Sequence, residues 1–167
     1  MTGPTFKIAA QNPTQTLPWT GVPPLSIQQL WFSIQRVEWA TLAIIPAGPE
    51  TSALDFGRPL YEVGKLAMGE RLRLLDARTV KLSGVAPLIV DMVTPPAGPR
   101  STNVQWSERA MVLVESVLVQ PAAVPVALAA DAALLCVELG KTSMASARET
   151  LDIVGRQRFI GCVTLGR

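Results

Sequence analysis

The chain has 167 residues, of which 49% are hydrophobic and 17% charged, a composition that fits one globular domain with its own core and excludes a wholly disordered chain. Fifteen basic against thirteen acidic residues leave a net charge of +2, too little and too scattered for a nucleic-acid footprint. Histidine is absent, which removes the commonest general base and the commonest transition-metal ligand, so any catalysis would rest on carboxylates, lysines or backbone groups.

Residues 1–24 are rich in Pro, Thr, Gln and Gly, which opposes both helix and central strand, and the segment reads as an extended arm. It lacks the charged-then-apolar layout of a signal peptide, which with two unpaired cysteines points to a cytoplasmic protein. The arm is either a loose tail or a strip that docks on a partner with Trp19 as its anchor. In "SIQQLWFSIQRVEW", Ile27, Leu30, Trp31 and Ile34 fall at helical spacing, with Ser26 as the expected N-cap. Trp31 and Phe32 cannot both face the core of one helix, so Phe32, with Trp19 and Trp31, is a candidate contact for a second chain.

Five short apolar runs follow: "ATLAII" (40–45), "RLRLLD" (71–76), "APLIVD" (86–91), "AALLCVEL" (132–139) and "RFIGCVTL" (158–165). Runs apolar on consecutive positions are what strands buried on both faces look like. Helix-like text separates them: "RPLYEVGKLAMGE", "SERAMVLVESVLVQ" and "TSMASARETLDIVGRQ". The alternation predicts an α/β fold with a mainly parallel, doubly wound sheet between two helical layers. The proline and glycine segment 94–105 would then lie at the carboxyl end of the third strand, where open α/β sheets keep their sites. The apolar stretch Pro121–Val137 is short for a membrane span and carries Asp131 and two prolines, so it reads as a helix end followed by a buried strand. Cys136 and Cys162 each sit inside an apolar run and read as buried free thiols.

Between the first run and its helix lies "PAGPETSALDF", a strand, a glycine turn and a helix start, the layout of a phosphate-binding loop. Counted from Gly48, the pattern G-x-x-x-x-G-K-[ST] would need Gly, Lys and Ser/Thr where this chain has Ala53, Leu54 and Asp55. A second fragment, "GKTS" at Gly140–Ser143, lacks the earlier glycine and reads as the cap of the last helix.

"LWFSIQRVEWATLAIIPAGP", "RLRLLDAR", "LIVDMVTPP" and "ADAALLCVELGKTSMASARETLDIVGRQRFIGCVTLGR" resemble, in order, the landmarks of the MinD/ParA-like P-loop ATPases. The closest branch is that of the bacterial tyrosine kinases of capsule and exopolysaccharide synthesis. The resemblance spans about residues 26–167 and implies a single degenerate P-loop ATPase-like domain from residue 25 to 167. It makes Gly48, Pro49, Glu50, Thr51, Ser52, Ala53 and Leu54 the degenerate nucleotide loop, with Ala53 where the lysine would be and Leu54 where the magnesium-binding hydroxyl would be. It matches the two acidic motifs to Asp76, with Arg78 replacing a second aspartate, and to Asp91. Both acids are open to two readings, remnants of a magnesium site or local caps of loop N–H groups. Leu165 and Gly166 replace the base-facing asparagine. The branch's tyrosine-rich tail has no counterpart, the only tyrosine being Tyr61, and its charged assembly motif corresponds to the uncharged "LSIQQLW".

The resemblance therefore implies a pseudo-ATPase without cofactor or metal. Its expected role is that of adaptor, assembly factor or regulatory subunit in a bacterial exopolysaccharide system of capsule or cellulose type. Its expected partners are proteins of that complex, in a homo- or hetero-oligomer placed at the inner membrane face through a partner. The alternatives are a divergent nucleotide-binding ATPase or kinase partner using Asp76, Asp91 and the Gly48–Ser52 backbone, and a small-ligand module in the same crevice.

Overall fold

The structure is a computed structural model that describes the backbone of residues 5–9 and, with their side chains, residues 24–94 and 108–166. In chain order the elements are β1 (Thr5–Ala9), α1 (Leu25–Ile34), β2 (Thr41–Pro46), α2 (Ala53–Met68), β3 (Leu72–Asp76), α3 (Leu82–Val93), β4 (Arg109–Leu113), α4 (Ala123–Ala129), β5 (Ala132–Glu138), α5 (Met144–Val154) and β6 (Phe159–Gly166). The strands form one sheet in the order β1-β6-β5-β2-β4-β3, and each neighbouring pair is parallel.

This order fixes the layers. The chain moves one way along the sheet from β1 to β2 and from β2 out to β3, then back through β4, β5 and β6. Right-handed crossovers running in opposite directions put their helices on opposite faces. Accordingly, Ile27, Leu30, Trp31 and Ile34 of α1 and Phe56, Leu60 and Val63 of α2 pack with Leu42, Ile44, Met111, Leu113 and Leu134 on one face. Val85 and Met92 of α3 and Ala123, Val126 and Ala127 of α4 pack with Ala43, Ile45, Val112 and Ala133 on the other. Ala147 of α5 packs with Leu135 and Ala47 on that second side. The result is the doubly wound three-layer α/β/α fold that the alternation predicts.

Strand alternation explains why β2, β4 and β5 read as unbroken apolar text: odd and even residues enter different cores, and both are filled. The Asp131 carboxylate ties the amino ends of β2 and β5 together by accepting from the Ala40 and Thr41 amides, at 3.0 and 2.8 Å, and from the Thr41 hydroxyl at 2.9 Å. Below α1, the rings of Trp31 and Trp39 meet edge to face at 6.3 Å, Trp39 donates its indole N–H to Ile34 O, and the Arg109 guanidinium lies 4.6 Å from the Trp39 ring centre.

Four sequence expectations change. The run 86–91 is not a strand but the middle of α3. That helix buries Val85 and Met92, two turns apart, yet its outer face carries Ala86, Val90 and Val93, so residues 85–90 are apolar at every position and mimic a buried strand. Conversely, "SERAMVLVESVLVQ" is not a helix: residues 109–113 are the inner strand β4, a short apolar run set between Glu108 and Glu115. Within the expected arm, residues 5–9 form β1 and pair with β6, so the sheet has six strands. Finally, α1 begins after Pro24 without a side-chain cap, rather than at a Ser26 cap.

Pro121–Val137 resolves into α4 and β5, in agreement with the reading as helix end and buried strand. Among the described residues no helix is long and apolar enough to cross a membrane.

Candidate switch-point site

Strand β2 feeds α2 on one face, whereas its neighbours β5 and β4 feed α5 and α4 on the other. Where consecutive connections part in this way, a crevice opens outside the carboxyl ends of the strands, and this is where ligands of such folds sit. Here the crevice is bounded by residues 47–52 after β2 and by the turn after β5.

The loop after β2 is engaged within the protein. The Ala47 amide donates to Cys136 O at 2.8 Å, Pro49 has no N–H, and the Thr51 amide donates back to Gly48 O at 3.2 Å. A phosphate-binding loop needs such N–H groups aimed at the anion. The buried Thr51 hydroxyl lies 2.9 Å from the Thr142 hydroxyl, and Thr142 Oγ1 also accepts the Glu138 amide at 3.0 Å. A methyl placed on Gly48 would meet Thr142 Cγ2 at 3.7 Å and Ser146 Cβ at 3.8 Å, so the β5–α5 turn packs directly against the loop. In the same turn Ser143 Oγ accepts the Ser146 amide at 3.0 Å, which makes "GKTS" a cap for α5, as its sequence indicates.

Helix α2 starts at Ala53, and the charge in its first turn is acidic, Asp55. Burial pushes the Asp55 carboxyl above its usual range; the nearby Glu138 adds to the rise, and Lys141 and Arg78 oppose it. Both cations are already paired, Lys141 Nζ with Glu138 at 2.6 Å and Arg78 with both oxygens of Asp76 at 2.9 and 2.7 Å. That fork holds the Asp76 carboxyl below its usual range. Glu115, just past the end of β4, adds a further negative charge that acts on Arg78. Among the described residues, the four carboxylates of Asp55, Asp76, Glu115 and Glu138 outnumber the two cations beside them, Arg78 and Lys141, so this group carries a formal −2. Such a rim repels a polyanion such as a triphosphate.

The structure separates the two acids that the sequence groups together. Asp76 ends β3 at this rim, while Asp91 lies in the last turn of α3 and accepts from Arg73, the second residue of β3, at 3.1 Å, toward the opposite end of the sheet. Asp91 therefore cannot be a remnant of a magnesium site in this crevice. Asp76 accepts the Arg78 amide at 3.1 Å, so it caps its own loop. Glu115 is the acid that sequence reading missed; its signal was the apolar run "AMVLV", most of which forms the inner strand β4 beside β2, followed at once by a carboxylate. The segment 94–105 follows α3 rather than a strand, and past Thr94 it lies outside the described residues.

Of the interface candidates, Trp31 is core, with 2% of its surface exposed, and so cannot anchor a second chain. Phe32 is 66% exposed on the outer side of α1. Trp19 lies outside the described residues. Leu165 sits in β6 between Glu138 of β5 and Ile8 of β1.

Fold and site together define an α/β three-layer protein whose switch point is bridged by the Thr51 and Thr142 hydroxyls. No protein-family model matches the chain, and no curated protein matches it. Among solved structures, one described as "BceF Tyrosine Kinase Domain" is similar to it, with a TM-score of 0.48 at 14% identity over 85% of this chain and 74% of that one.

Proposed function

We propose that this protein is a non-catalytic ATPase-like domain that acts through its surface, as an adaptor or assembly subunit of a bacterial exopolysaccharide system of capsule or cellulose type. The observation that carries the non-catalytic part is the Thr51–Thr142 contact across the switch point, with Asp55 in the helix turn where a phosphate-binding lysine would stand. The pathway rests on the ordered sequence resemblance to the exopolysaccharide tyrosine kinases. The adaptor role is supported by Phe32, a large aromatic left outside the core on α1.

Two measurements test this reading. Isothermal titration with ATP and GTP in millimolar magnesium should give no binding heat. Light scattering of the protein alone and with the products of its neighbouring genes should reveal a dimer or a stable heteromeric complex, which Phe32→Glu weakens without lowering the melting temperature. A monomer that binds none of them removes the adaptor.

A second reading, a divergent nucleotide-binding enzyme, is favoured by one observation: Glu115 lies two residues past the carboxyl end of β4, the strand next to β2, where a magnesium-holding acid could serve. A micromolar dissociation constant for ATP, abolished by Glu115→Ala, would establish it.

A further inference from the structure

We draw no further inference here: the strongest candidate, the apolar outer face of α3 made by Leu82, Ala86, Val90 and Val93, has nothing in the structure to show what covers it.

Discussion

The Thr51 and Thr142 hydroxyls, 2.9 Å apart, join the loop after β2 to the turn after β5 across the switch point. Thr51 is 2% exposed, so its hydroxyl has little access to replacement water. Thr51→Val should cost about 1–2 kcal/mol in urea unfolding, the usual result of leaving one buried partner unsatisfied. Thr142→Val should cost somewhat more, because the Glu138 amide also loses its acceptor. The double variant should be less destabilised than the sum of the two, with a coupling of about 1 kcal/mol. Strict additivity would mean that the two hydroxyls do not share a bond.

Asp55 and Asp76 should respond to acid with opposite signs. The raised Asp55 group is a cost present above its folded pKa; it fades as pH falls through that value and is gone below the ordinary 3.8. Asp55→Asn should therefore stabilise the protein at pH 7, by less than about 1 kcal/mol because solvent still reaches and screens this carboxylate, and not at pH 3. The depressed Asp76 group contributes stability that is complete above 3.8 and is lost as pH falls through its lower folded value. Asp76→Asn should thus destabilise at pH 7, with the difference shrinking below pH 3.8. Urea titrations across this pH series read both effects.

Helix α2 lies on the sheet with glycines at the points of closest approach. A Cβ built on Gly64 would come within 2.6 Å of two Trp31 ring carbons and would also collide with Leu72. Gly64→Ala should destabilise by about 1–3 kcal/mol, the range for forcing volume into a packed core, although alanine is the better helix former. A neutral or stabilising result in thermal unfolding would show that α2 can lift from the sheet.

Cys136 and Cys162 should remain separate thiols. Register places Cys162 opposite Leu135, one residue before Cys136, so the two sulfurs leave adjacent strands on different faces. Intact mass after denaturing alkylation should show two modified cysteines. In the folded protein, burial pushes both thiols above their usual range, so labelling at pH 8 should be slow at Cys162 and slower still at Cys136. A disulfide-bonded fraction in fresh protein would contradict this register.

Adjacent aromatics on α1 should separate stability from association. Trp31→Ala should lose about 3–5 kcal/mol, as for other buried tryptophans. Phe32→Ala should change stability by less than about 0.5 kcal/mol, the usual surface effect, while weakening any complex that light scattering detects. Equal stability losses at both positions would place Phe32 in the core.

How much of this was legible depended on burial. The runs that became β2 and β5 were readable because strands filled from both sides leave apolar residues at consecutive positions, and β3 and β6, less buried, kept enough of the same apolar text to be read with them. The same rule failed for α3, whose outer face is apolar too, and missed β4, whose five residues are flanked by Glu108 and Glu115. With those two elements exchanged, Asp91 read as a strand-end acid, whereas it lies in the last turn of α3, and Glu115, past the end of β4, went unnoticed. The loop itself read correctly as a strand, turn and helix start without a lysine. Its closure by Thr142 did not, because that contact joins residues 91 positions apart, and no local pattern records it.

The first strand has a consequence for the order of assembly. Thr5 of β1 lies beside Cys162 of β6, a separation of 157 residues (162 − 5), and among the described residues β1 has no other partner in the sheet. During synthesis β1 therefore leaves the ribosome long before its neighbour exists, while the sheet from β2 to β5 can already form. It must wait unpaired until β6 docks on β5, which makes its addition a late and slow step, since loop closure over such a span precedes any gain from the contact.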